Sequence, residues 1–75
     1  MKRPANPMLD YVAQALENEG LKSAFDHRPW YQRNDYLGWL DRAKRDDTKI
    51  KRRRQMLDEL RAGDLYMKMA WHPRQ

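Results

Sequence analysis

The chain has 75 residues, with 16 Lys or Arg against 11 Asp or Glu and a net charge of +5 at pH 7. So short a chain is one domain at most, near the lower size at which a lone core sustains folding, so every large apolar residue has packing work to do. Cysteine is absent, which excludes a disulfide framework and thiolate metal sites. The charge is concentrated rather than general: Arg42 to Arg54 carries eight basic residues against Asp46 and Asp47, a local +6, while the rest of the chain sums to −1.

At the N-terminus Lys2 and Arg3 resemble the basic start of a signal peptide, but Pro4, Ala5, Asn6 and Pro7 follow in place of an apolar stretch. No segment approaches the roughly 20 apolar residues that span a bilayer. A cytoplasmic protein without a membrane span is therefore expected. Asn6 before Pro7 predicts a helix start, with Asn capping free amides and Pro at the first helical position. Leu9, Val12, Ala13 and Leu16 then recur at helical spacing, and Gly20 supplies a left-handed stop, which predicts a first helix over about residues 7 to 19.

Leu21 to Asp26 reads as one or two helical turns with Leu21, Ala24 and Phe25 on one side, ending before Pro29. "HRPWYQRNDY" then reads as a tight connection whose Trp30 and Tyr31 cover the core from one end. A third helix is expected over about residues 32 to 44. Tyr36, Leu37, Trp39, Leu40 and Ala43 share one arc at about 100° per residue, opposite Asn34, Gly38, Asp41 and Arg45.

Asp46 and Asp47 suit the positive end of a fourth helix, with Ile50, Met56, Leu57 and Leu60 as its apolar face and Gly63 as its end. Arg53 falls inside that arc. Either its stem lies along the core rim with the guanidinium reaching water or it pairs with a carboxylate, and the former is the reading taken. In the tail, Leu65, Met67, Met69 and Trp71 alternate as in an extended segment. A lone strand is not stable, so the tail is expected to pack as an irregular arm or to await a partner. The fold class read from these elements is all-α, a small bundle of three main helices and one short helix with an extended C-terminal arm.

Chemistry-bearing residues are few. Ser23 and His27 are four apart with Asp26 beside them, but no glycine-rich turn or oxyanion donor accompanies them. His27 and His72 lack further ligands at a metal-binding spacing, and His72 reads as a free tail residue. No cofactor and no small-molecule substrate is expected. Trp30, Tyr31, Tyr36, Trp39, Tyr66 and Trp71 invite comparison with a stacking platform for single-stranded nucleic acid, although Tyr36 and Trp39 sit on a face that must be buried. The sharper candidate is the basic block. Lys44, Arg45, Lys49, Lys51, Arg52 and Arg54 are placed to contact several phosphates, and the turn before the fourth helix has the length of a helix-turn-helix connection. Against this, Asp46 and Asp47 stand where phosphate would approach, and Asp41, Asp58 and Glu59 can pair with the cations at helical spacing.

The stretch "YLGWLDRAKRDDTKIKRRRQMLDELRAG" resembles the signature of the YdeI/OmpD-associated family, approximately Tyr-x-x-Trp-Ile-x-x-Ala-Lys-x-x-x-Thr followed by a basic helix, a Met-Leu pair and a Gly. The matching positions are Tyr36, Trp39, Leu40, Ala43, Lys44, Thr48, Lys49, Met56, Leu57 and Gly63. "ALENEGLKSAFDHRP" upstream and "GDLYMKMAW" downstream are similar to the family too. Asp46-Asp47 stands where the family often has Pro-Glu, and both pairs suit a helix start. Ile50 and Arg53 exchange the polar and apolar characters usual there, which suggests that Ile50 fills the space Arg53 vacates. The resemblance implies a helical C-terminal module and a link to bacteriocin protection and to a porin. The expectation drawn is a non-enzymatic interaction module with a protein partner, which it contacts through the basic face of the fourth helix and the apolar arm Leu65, Met67, Met69 and Trp71. The competing expectation is nucleic-acid binding by the same basic face.

Overall fold

The structure, a computed structural model, describes residues 5–71. Four helices follow one another: α1 (Asp10–Asn18), the short α2 (Lys22–Asp26), α3 (Trp30–Asp41) and α4 (Asp46–Ala62). A small antiparallel hairpin closes the chain, with β1 (Leu65–Tyr66) and β2 (Met69–Ala70) paired as Leu65 with Ala70 and Tyr66 with Met69. The all-α class holds. The tail differs from the expected arm because the strand finds its partner within itself, four residues further on. His72 and the Lys2–Arg3 pair lie outside the described residues.

The core gathers one side of each helix. Val12 and Leu16 come from α1, Leu21 and Phe25 from the α2 region, Tyr36, Leu37 and Leu40 from α3, and Met56 and Leu60 from α4. Truncating one of the fully buried members, such as Leu16 or Leu40, costs about 2 to 5 kcal/mol, lost transfer free energy and residual cavity together. Ala43, just past α3, is buried as expected.

Three local expectations give way to tertiary contacts. First, α1 starts at Asp10, after Leu9 and without a side-chain cap. Asn6 does not cap it, because its polar groups are drawn across the fold: the Asn6 backbone N–H donates to Asn34 Oδ1 at 2.7 Å, and its side-chain amide donates to the Asn34 carbonyl at 3.0 Å. Second, Trp30 and Tyr31 are no connection but the first turn of α3, which follows Pro29. They remain 48% and 41% exposed and do not seal the core. Third, α3 is buried on more of its circumference than one arc. Gln32, Asn34 and Gly38 are buried, while Trp39 is half-buried. A Cβ on Gly38 would stand 2.7 Å from Asn6 Nδ2, so this mid-helix glycine admits the N-terminal segment.

α4 begins at Asp46 and ends at Gly63, whose φ of +84° is the left-handed conformation that favours glycine. The expectation for Ile50 fails: it is 54% exposed and fills no vacated space. It lies in the first turns of α4, and the buried residues of that helix, Met56, Glu59 and Leu60, all come from its second half.

A buried carboxylate and a basic ridge

Glu59 is 3% exposed, and its carboxylate is the centre of the most densely bonded part of the molecule. It follows Met56 by three positions and precedes Leu60, so the helical repeat turns it inward with them. The Tyr36 hydroxyl donates to Glu59 Oε1 at 2.5 Å, the Met67 N–H donates to the same oxygen at 2.9 Å, and the Lys68 N–H and Gln55 Nε2 donate to Oε2 at 2.7 and 3.2 Å. Met67 and Lys68 are the two turn residues of the hairpin, with φ of 50° and 66°. Successive amides in such a turn form a concavity for an anion, and here the anion is the protein's own side chain. Burial pushes the Tyr36 hydroxyl far above the usual tyrosine range, and its hydrogen bond to the Glu59 carboxylate and that group's negative charge push it further.

Arg28, 4% exposed, braces the same region. Its guanidinium donates to Gln32 Oε1 at 3.0 Å, to the Leu65 carbonyl at 2.8 Å and to the Glu59 carbonyl at 2.9 Å, and it stacks 4.6 Å from the centre of the Trp71 ring. Tyr66 packs edge-on between Tyr31 and Tyr36, with centroid separations of 5.8 and 5.6 Å, and donates its hydroxyl to Asp35. The six rings therefore form no shared platform. Tyr36 is core, Tyr66 and Trp71 fasten the hairpin, and Trp39 lies under Arg52.

The four arm residues divide in the same way. Met67 packs against the core and Trp71 against Arg28, while Leu65 is partly exposed and Met69 is 58% exposed. They do not form one apolar surface.

The basic block is divided as well. Arg52 donates to the Trp39 carbonyl at 2.7 Å and stacks 5.2 Å from that ring's centre, so it fastens α4 to the end of α3. Arg45 pairs with Asp47 at 3.3 Å in an exposed contact. Glu59, expected to pair with cations at helical spacing, is turned away from them into the core, and Asp58 approaches Arg61 at 3.8 Å. Among the described residues, Lys44, Lys49, Lys51, Arg53 and Arg54 have no ion pair. Lys51 and Arg54 stand exposed along the outward face of α4, beside Leu65 and Lys68 of the hairpin.

On the other flank of α4 lies a groove of about 370 Å³ against α1, lined by Tyr11, Ala15, Ile50, Arg53, Leu57 and Arg61 among others. Arg61 reaches Glu19 at 2.5 Å across it. Burial raises the Tyr11 hydroxyl above its ordinary value, Asp41 adds to this, and the positive charge of Arg53 opposes it, which puts the Arg53 guanidinium within electrostatic reach of that ring. The stem-on-rim reading of Arg53 agrees with its half-burial in this groove.

Of the catalytic residue types, Ser23 and His27 do meet, with Oγ 3.4 Å from Nδ1, but His27 Nδ1 is nearer the Ser23 carbonyl at 2.7 Å. The tautomer that donates to this carbonyl cannot take the hydroxyl proton at Nδ1. Asp26 is turned to Lys22 at 2.8 Å. Sequence reasoning missed Glu59 and Arg28 as organising residues. For Glu59 the signal was present, since it shares the inward side with Met56 and Leu60; Arg28, in the turn before Pro29, has no such periodicity.

No helix among the described residues is long and apolar enough to cross a membrane. Fold and surface define a small, mostly helical protein whose buried carboxylate is bonded to its own hairpin and whose last helix bears Lys51, Arg53 and Arg54 with no ion pair among the described residues. Residues 8–63 match the family described as bacteriocin-protection, YdeI or OmpD-associated, and the chain belongs to that family. The match ends before the hairpin. Among curated proteins and among solved structures, nothing matches the chain.

Proposed function

We propose that the chain is a non-enzymatic interaction module that docks an acidic protein partner on the exposed side of α4, and that the bacteriocin protection in the family's description runs through that partner. The observation that carries this reading is the ridge of Lys51, Arg53 and Arg54. These cations hold no ion pair among the described residues: Lys51 and Arg54 stand on the outward face beside Leu65, and Arg53 lies half-buried with exposed Ile50 in the groove against α1. Apolar anchors bordered by available charges are the usual composition of a protein contact surface. A cationic antimicrobial peptide would be repelled by such a ridge, which argues against direct capture of the peptide.

Nucleic acid is the competing partner. It is disfavoured by Asp46 and Asp47, both exposed in the first turn of α4, where a phosphate would seek free amides. The loss of Arg52 and Arg45 to internal partners shortens the phosphate-binding series further. The test is a backbone amide NMR titration with a Glu-rich peptide and with short single- and double-stranded DNA, at about 50 mM and about 200 mM salt. The proposal expects peptide-induced shifts on Ile50 to Arg54 that persist at the higher salt, with DNA shifts that vanish. DNA shifts over Lys44 to Arg54 that survive the higher salt, with the peptide silent, overturn it.

A further inference from the structure

The groove between α1 and α4 gives this reading, on which the following rests, a more definite form. The two helices run in the same direction along it: Tyr11 lies near Arg53 at one end, and Glu19 is bonded to Arg61 at the other. From Ile50 to Arg61 the α4 wall is about 16 Å long, or three helical turns. Its lining is mixed: Ala15, Leu57, the Tyr11 ring and the exposed side of Ile50 supply an apolar strip, and polar groups such as Gln14, Asn18 and Asp58 border it. Charge is distributed unevenly along it. At the far end Arg61 is matched by Glu19 and Asp58, whereas at the near end Arg53 and Arg54 are unmatched among the described residues.

We infer that this groove receives an acidic amphipathic helix of the protein partner, with its apolar side on Ile50 and Leu57 and its carboxylates on Arg53 and Arg54. The walls are helical, and the backbone groups of their interiors are already bonded within α1 and α4. An extended segment would find no backbone partners there and would leave its own amides unsatisfied, while a helix brings its bonds with it. The unmatched arginines select the sign of the occupant's charge. The length of the wall selects about three turns.

Two synthetic peptides of about 15 residues test this. One places Leu at positions i, i+4 and i+7 between Glu residues, and the other has the same composition with its Leu residues scattered round the helix. The inference expects the first to bind about tenfold tighter than the second, a difference of about 1.4 kcal/mol, and to shift the amides of Tyr11, Ala15, Ile50 and Leu57. Ile50→Ser, at an exposed position that leaves the core intact, removes that preference and leaves the weaker binding of the scattered isomer unchanged. Arg54→Glu, at an exposed position of the same wall, weakens the amphipathic peptide without moving the thermal midpoint. Equal affinities, with shifts confined to Lys51, Arg54 and Lys68, overturn the groove and leave the acidic-partner reading standing. No binding of either peptide even at low salt overturns both, and duplex DNA shifting the groove amides in place of the peptides does so too.

Discussion

Replacement of Glu59 by Ala removes one carboxylate and leaves four donors without their acceptor. The Tyr36 side chain is fully buried, so its hydroxyl has no water to turn to, and an unsatisfied buried donor costs about 1 to 3 kcal/mol. The Met67 and Lys68 amides lie at the hairpin tip, where water can replace the carboxylate. Their loss is therefore nearer the net value of a hydrogen bond to a charged group, about 1.5 kcal/mol each at the low end. Removal of one member of a buried charged network falls in the range of about 3 to 5 kcal/mol. A chain of 75 residues has a total stability of about 4 to 11 kcal/mol, so Glu59→Ala consumes roughly a quarter or more of it. Glu59→Gln, which keeps one acceptor oxygen but turns an NH2 toward the remaining donors, falls in between. Urea unfolding measures the loss, and amide exchange at Met67 and Lys68 shows whether the hairpin is released. If both variants stay within about 1 kcal/mol of the parent and those two amides keep their protection, the carboxylate does not hold the hairpin and the reasoning is wrong.

Alkaline pH acts on the same contact. Because Tyr36 is raised in the folded state, its contribution is fully present below the unfolded tyrosine value of about 10 and is lost as pH rises from there. Tyrosinate absorbance is expected to show one of the four tyrosines ionising only with unfolding, and Tyr36→Phe should lessen the alkaline loss while costing about 1 to 2 kcal/mol at neutral pH. Arg28→Lys retains the charge but not the planar fork that serves Gln32, Leu65 and the Glu59 carbonyl. It should lower the urea midpoint and red-shift Trp71 emission, and unchanged emission would show that the stack on Trp71 is not held by the guanidinium. Lys68→Gly relieves a left-handed φ of 66° and should stabilise the protein by about 0.5 to 1 kcal/mol, visible as a higher thermal midpoint.

The hairpin turn shows why such a tight connection escapes sequence reading. Two-residue turns with both φ values positive are usually announced by Asn-Gly or Asp-Gly, and here Met67-Lys68 stands in that place. A left-handed residue with a side chain costs about 1 to 2 kcal/mol. The two charge-assisted bonds from Glu59 to the turn amides offset this. The turn is thus specified by a residue eight and nine positions away on another element.

What the sequence by itself determined is what depends on spacing along a single element. The apolar repeats set most of the core residues of α1, α3 and α4, such as Val12, Leu16, Tyr36, Leu40, Met56 and Leu60, Gly63 sets where α4 stops, and the proline at 29 separates α2 from α3. Tertiary structure alone decided wherever a polar group had two candidate partners. Asn6 left the helix terminus for Asn34, Glu59 left the arginines for Tyr36 and the hairpin, and Arg52 left the solvent for Trp39 and its carbonyl. Apolar burial follows periodicity because it is non-directional and needs only the correct face. A hydrogen bond needs a particular donor at a particular distance and angle, and for these residues that donor or acceptor lies on another element, placed only when the helices have packed.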